Sequence, residues 1–182
     1  MNKKTIEILK NLEKTKEKYW CVSKEVGAFL NQLIKNSKFK KIFEIGTSIG
    51  YSGIWIADAL TSNKGTLYTI ESHKERFELA RENFKKSGLK NIKQIFGHAP
   101  EKIPATLKNL DMVFLDATKY EHISYFEKIE NKIKKGGLII TDNINSHHKD
   151  LAPFISYLQA QKNWSTIILD IDKGISISQK TC

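Results

Sequence analysis

The amino-acid sequence predicts an α/β protein built on a doubly wound sheet of seven strands, with the last strand antiparallel. Three observations lead there. Short apolar runs alternate with helix-length amphipathic segments along the chain, the pattern of parallel strands joined by crossover helices. A glycine-crowded turn within Phe43-Glu44-Ile45-Gly46-Thr47-Ser48-Ile49-Gly50-Tyr51-Ser52-Gly53 joins the first apolar run to the helix that follows. The last two runs are separated only by Asp170 to Lys173. That connection is too short for a parallel crossover, so the final strand enters antiparallel.

The elements follow in order. Residues 4 to 18 carry Ile6, Leu9 and Leu12 at helical spacing between charges, a surface helix. Ser23 stands three residues before Val26, and Val26, Phe29, Leu30, Leu33 and Ile34 mark a second helix. Lys41 to Ile45 reads as a buried strand, followed by the glycine turn and a helix from Ser52 to Leu60. Thr66 to Ile70 is the next strand, announced by Lys64-Gly65. Lys74 to Ser87 is helical and ends at Gly88, a C-terminal glycine. Ile92 to Phe96 and Met112 to Leu115 are the third and fourth strands. A helix from about His122 to Ile133 is expected to stop at Gly136-Gly137, with Leu138 to Thr141 as the fifth strand. A helix around Leu151 to Gln161 leads to the strand Thr166 to Leu169. The alternating run Gly174 to Ser178 closes the sheet.

Composition narrows the function classes. With 182 residues, 40% of them hydrophobic and 10% aromatic, the chain is expected to fold as one domain over residues 1–182. No apolar run is long enough to span a bilayer, and the N-terminus mixes both charges without a signal-peptide core. Only Cys21 and Cys182 occur, which is neither a disulfide framework nor a thiolate metal cluster. A cytoplasmic enzyme or binding domain is expected. The formal net charge of +10 raises the question of RNA. Of 30 basic residues only Arg76 and Arg81 are arginine, the better bidentate phosphate reader, and the lysines are scattered, so RNA contact is not favoured.

Ligands of open α/β sheets sit beyond the carboxyl ends of the strands. There the sequence offers Glu44 and the glycine turn, Glu71, Gly97-His98-Ala99, Asp116 to Lys119, and Asp142-Asn143. The glycines fall at 46, 50 and 53, with Ser48 where a dinucleotide fingerprint needs glycine, and no P-loop Gly-Lys-Ser/Thr follows. Glu71, about 20 residues beyond the turn, suits the two hydroxyls of a ribose. A ribose acceptor without a phosphate cradle calls for a nucleoside lacking pyrophosphate. S-adenosylmethionine fits, with its ribose at Glu71 and its amino-acid end at the glycine turn.

The segments EIGTSIGYS, TIES, DMVFLDATK and GGLIITDN resemble, in order and spacing, the motifs of the metal-dependent class I O-methyltransferases, the catechol and caffeoyl-CoA O-methyltransferase group. The resemblance runs from about Val22 to Lys180. It implies the Rossmann-like class I methyltransferase fold and a bacterial-type relative of these enzymes. It implies that Glu44, Gly46 and Ser52, with Ser48 and Gly50 of the same turn, hold the methionine part of the cofactor. Glu71 would hold the ribose and the Gly97-Ala99 turn the adenine. Val22 would cover the cofactor, with residues 1–36 forming N-terminal helices over the cofactor and substrate site. Asp116, Asp142 and Asn143 are three hard oxygen donors from neighbouring strand ends, suited to Mg²⁺ or a similar cation, and Asp116 would face the cofactor as well. His147 and His148 have no third His or Cys to complete a zinc site. Lys119, beside a cation and a sulfonium, has its charged form disfavoured and suits the role of general base.

This sequence departs from the family's pattern at His98, where a small or acidic residue is common, and at Thr118, which replaces an acidic or aromatic residue. The expected acceptor is a small hydroxylated molecule with neighbouring oxygens, at an open site completed by a second subunit in a homodimer. The rival readings are a tRNA hydroxyuridine O-methyltransferase of the same family and a non-catalytic cofactor-binding interaction protein. A nicotinamide dehydrogenase fails on the glycine spacing.

Overall fold

The computed structural model describes residues Met1 to Cys182. One sheet contains β1 (Lys41–Ile45), β2 (Thr66–Glu71), β3 (Ile92–Phe96), β4 (Leu110–Leu115), β5 (Ile133–Asp142), β6 (Trp164–Leu169) and β7 (Ile175–Lys180). The strand order is β3-β2-β1-β4-β5-β7-β6. β1 to β5 pair in parallel, and β7 enters antiparallel between β5 and β6. The seven-stranded sheet and its reversed last strand are as the sequence predicts. The helices are α1 (Lys3–Glu13), α2 (Lys24–Asn36), α3 (Tyr51–Ser62), α4 (Lys74–Ser87), α5 (His122–Ile129) and α6 (His148–Gln159).

Side chains alternate across the strands and so build two cores. Ile42, Met112 and Phe114 face the layer of α1 to α4. Phe43, Ile45, Val113 and Leu115 face α5 and α6. Local signals set several boundaries. The Ser23 side chain accepts from Val26 N–H at 3.2 Å and starts α2. Gly88, with φ of 77°, ends α4 in the left-handed conformation that glycine adopts freely.

Two expected boundaries are corrected: the first helix, expected over residues 4 to 18, ends at Glu13 and gives way to turns, and the end of the helix after β4 lies earlier than expected. The helix does not run to Ile133 and stop at the glycine pair. α5 ends at Ile129, and β5 begins at Ile133 and passes through Gly136-Gly137. Against β4 the register jumps from Leu110↔Ile133 to Met112↔Leu138, so the glycines sit in a bulge. Gly136 takes a φ of 77° there with open space around it, and Lys134 from the same bulge pairs with Asp111. A glycine pair that resembles a helix stop is here the slack in a strand.

β1 and β4 are neighbours at the point where the strand order turns back, and the helices that follow them, α3 and α5, pack into different cores. Gly46 leaves β1 with φ of 101°, and a Cβ on it would strike the backbone carbonyl of Asp116. Asp116 N–H donates to Ile45 O at 3.0 Å. The two strand ends are thus packed backbone to backbone. Gly46→Ala is expected to lower stability by about 2–5 kcal/mol, combining left-handed strain with overpacking, as read by urea unfolding. A loss below ~1 kcal/mol would mean that the turn can move off β4 freely.

Candidate active site

A cleft of about 460 Å³ opens at the carboxyl ends of β1, β2, β4 and β5, within the size range of small-ligand sites. Of the residues singled out in the sequence, Val22, Gly46, Ser48, Glu71, Ala99, Asp116, Lys119, Asp142 and Asn143 all line it. Glu44, Gly50 and Ser52 do not; they lie behind the glycine turn.

Glu71 anchors one end. Its Oε2 accepts from Ser48 N–H and its Oε1 from His73 N–H, both at 2.8 Å. Each oxygen keeps a further lone pair for a ligand hydroxyl. Ser48 takes φ of 47°, the left-handed conformation that a glycine would adopt at no cost. Its Oγ donates to Tyr19 O at 2.7 Å. That bond ties the segment Glu17 to Val22 over the cleft, where Tyr19, Trp20, Cys21 and Val22 form part of the wall. The covering is therefore done by the connection between α1 and α2; the helices themselves pack on α3 and α4. Burial pushes the Cys21 thiol up to about 12, so it stays protonated. Gly97 N–H donates to Glu71 O at 2.9 Å and brings the turn to Ala99 against the same end.

Behind the turn, Glu44 is fully buried. Its Oε1 accepts from Ser52 Oγ and its Oε2 from Thr69 Oγ1, both at 2.6 Å, and Thr69 is bonded in turn to Thr47. Burial pushes the Glu44 carboxyl up to about 7 against these two donors. Gly50 has φ of 88°, and a Cβ there would meet the Phe84 ring at 2.7 Å. These residues support the turn from below.

The other end gathers charge. Lys119 Nζ donates to Asp116 Oδ1 at 2.8 Å. Asn143 Nδ2 donates to Asp116 Oδ1 and to Asp142 Oδ2, both at 3.1 Å. Asn143 has φ of 68°, which points the residue after β5 back toward β4. Asp142 is 2% exposed, and its Oδ1 has no partner. Burial, and then the neighbouring Asp116 carboxylate, push the Asp142 carboxyl above the ordinary range. No group of three His, Cys, Asp or Glu side chains closes on one point; the convergent set is two carboxylates and an amide.

Several cleft residues were not foreseen. Asp172 and Lys173 reach it because β7 pairs with β5 in the register Asp142↔Ile175, which sets the β6–β7 turn beyond the end of β5. Asn145 N–H donates to Lys173 O at 2.8 Å and docks that turn. The antiparallel last strand was the signal that could have found them. Glu121 joins two parts of the wall, its Oε1 at 3.1 Å from His98 Nε2 and its Oε2 accepting from Tyr125 O–H at 2.5 Å. The Arg76 guanidinium lies over the Trp20 ring, 4.6 Å from its centroid. No short-range sequence pattern marks that pair.

A mostly parallel sheet with a glycine turn, an anchored carboxylate and a cluster of acidic and amide groups at its switch point defines an open α/β protein with a ligand-sized cleft at the strand ends. The chain belongs to the O-methyltransferase family, whose model matches residues 2–177. It is 36% identical over 128 residues to a catechol O-methyltransferase of Niastella koreensis, covering 68% of this chain and 58% of that protein. It is 32% identical over 172 residues to caffeoyl-CoA O-methyltransferase 1 of Zea mays, covering 86% of this chain and 66% of that one. The matches thus span about three-fifths to two-thirds of these relatives' length. The fold is shared with the SAH-bound Podospora anserina methyltransferase at a TM-score of 0.90 and 20% identity, covering 100% of this chain and 89% of that one. A Bacillus cereus O-methyltransferase in complex with SAH aligns at a TM-score of 0.83 and 24% identity, covering 100% and 92%.

Glu44 sets a pH dependence. Its carboxyl is raised in the folded chain from the ordinary 4.5 to about 7. The folded state therefore holds a proton that the unfolded state has lost, and stability falls as pH rises from about 4.5 to about 7. Glu44→Gln removes this titration. Its stability relative to the parent is expected to improve by a few kcal/mol, roughly, between pH 5 and pH 8, measured by urea unfolding at each pH. Parallel profiles for the two proteins would rule the buried titration out.

Proposed function

We propose that the chain is an S-adenosylmethionine-dependent O-methyltransferase. Its acceptor is a small catechol-like molecule with two neighbouring oxygens, and a divalent cation, Mg²⁺ or similar, assists. The observation that carries this reading is the meeting in one cleft of the anchored Glu71 carboxylate with Asp116, Lys119, Asp142 and Asn143. The relatives named as catechol and caffeoyl-CoA O-methyltransferases support a hydroxylated acceptor. The SAH held by structures of the same fold supports the nucleoside end.

The residues present fit a hard cation. Asp142 Oδ1 is a buried acceptor without a partner, and two carboxylates already share a single amide donor. Turned over, the Asn143 amide offers an oxygen beside those of Asp116 and Asp142, an all-oxygen set of the kind Mg²⁺ takes. Positive charge there would also relieve the repulsion that raises Asp142. S-adenosylmethionine supplies a methyl group on a sulfonium sulfur, and the cation supplies Lewis-acid stabilisation of the acceptor oxyanion. The chain's own work is positioning and proton transfer. Glu71 orients the ribose through two fixed oxygens. The segment Tyr19 to Val22 shields the reacting end from water. Lys119, on the loop that faces the acceptor, would leave Asp116, give its ammonium proton to solvent, and as the neutral amine take the hydroxyl proton.

Calorimetry separates the ligands: S-adenosylmethionine or its demethylated product should bind, and NAD should not. Tight NAD binding with silence toward the other two would sink the reading. Labelled methyl transfer to a panel of catechols, flavonoids and tRNA then identifies the acceptor. Activity on that acceptor should disappear with chelator and return with Mg²⁺, and Asp142→Ala should abolish the return. Full turnover after chelation would refute the cation. Lys119→Met keeps the aliphatic stem and should depress turnover by roughly 10²- to 10⁴-fold, the range for a lost general base, with cofactor affinity nearly unchanged. Wild-type turnover of that variant across neutral pH would remove Lys119 from the mechanism.

A further inference from the structure

The loop that carries Lys119 is braced from beneath by a histidine. His122 is fully buried. Its Nδ1 lies 3.0 Å from the Thr118 carbonyl oxygen, in the stretch between Asp116 and Lys119. Its ring stands edge-on to Phe154 at 5.3 Å and tilted to Tyr125 at 5.6 Å. Its Nε2 is buried and has no partner.

The chemistry of these contacts fixes the state of the ring. A carbonyl oxygen only accepts, so Nδ1 must carry the proton. A second proton on Nε2 would place an unpaired N–H and a charge among aromatic side chains. Burial, and then the Lys119 cation, lower the His122 imidazole to about 4, so the ring is neutral. The residue is thus a neutral Nδ1–H donor whose other nitrogen is left bare. For filling space alone this is a poor choice, because a phenylalanine or leucine leaves no polar atom unsatisfied. What the histidine adds is a donor to Thr118 from inside the core, alongside the Glu121 N–H that reaches the same oxygen at 3.2 Å.

We propose that His122 is a positioning residue for methyl transfer: its Nδ1–H holds the Thr118 carbonyl and so sets the turn from which Lys119 reaches the acceptor. This rests on the functional reading above. It assigns His122 no contact with cofactor or acceptor, and it places the effect on turnover and not on cofactor binding.

Two substitutions divide the donor from the packing. His122→Phe keeps a flat ring and loses the N–H. His122→Asn loses the ring but keeps an amide N–H close to the Nδ1 position. On a confirmed acceptor, His122→Phe should lower kcat about 10-fold while His122→Asn stays within about threefold of the parent, because the hydrogen bond is what orients the loop. The KM for S-adenosylmethionine should hardly move in either. Equal losses, or a larger loss in the asparagine variant, would mean that His122 merely packs and would overturn the proposal. His122→Leu replaces the phenylalanine variant if thermal melting shows that one unfolded. If the wild-type chain methylates nothing in the panel, the functional reading has failed. ¹⁵N NMR of the ring then decides the structural half separately: a proton on Nδ1 upholds the brace, and a proton on Nε2 overturns it.

Discussion

The approach of the Gly46 backbone to the Asp116 carbonyl governs the rest of the site. β1 and β4 lie side by side, and no side chain fits between their ends. Because the two backbones touch, the glycine turn and the acidic loop open onto one cleft. Gly46 and Thr47 N–H both donate to Ile70 O, at 3.1 and 3.2 Å, which draws the end of β2 into the same assembly. Gly97 N–H then fastens the end of β3 to Glu71. Four strand ends are joined by main-chain bonds before any side chain acts.

That scaffold collects negative charge, and each carboxylate is handled differently. Glu71 is met by two backbone N–H groups. Asp116 is met by the Lys119 ammonium and the Asn143 amide. Glu44 has only two hydroxyl donors and no cation, and it shifts toward the protonated form. Asp142 retains an oxygen with nothing to accept from. A concave site with this balance favours positively charged ligands, since field lines concentrate between low-dielectric walls. A sulfonium and a divalent cation are both of that kind. Lys119, Lys173 and Arg76 also line the cleft, but the carboxylates outnumber them, so the net charge of +10 is a poor guide to it.

The parts of the fold that were legible in the sequence rest on local or counting arguments. Strand–helix alternation gives the doubly wound sheet, and the four residues from Asp170 to Lys173 force β7 to reverse. Asp116, Lys119, Asp142 and Asn143 could be singled out because strand ends are where polar residues leave a sheet. What escaped depends on long-range register. The bulge at Gly136-Gly137 exists only because β4 and β5 pair on both sides of it. Lys173 reaches the cleft only because Ile175 sits opposite Asp142. The place of Glu44 beside the turn does not tell which way its side chain points. Its side chain falls on the α3 face of β1, a matter of strand phase that a motif does not encode.

Ser48 shows how one atom can link these parts. Its backbone is left-handed, a conformation that costs a non-glycine residue about 1 kcal/mol or more. Glycine there would relieve the strain and would restore the spacing of a dinucleotide-type turn. The serine keeps something glycine lacks. Its N–H holds Glu71, as any residue's would, but its hydroxyl holds the Tyr19 carbonyl and with it the cover over the cleft. A hydrogen bond of this type contributes about 1 kcal/mol, comparable to the strain. The position is therefore close to neutral for stability while it couples two functions. The residue that holds the Glu71 carboxylate also fastens the segment bearing Trp20, Cys21 and Val22. The departure from the dinucleotide spacing is thus the feature that joins the turn to the cleft wall.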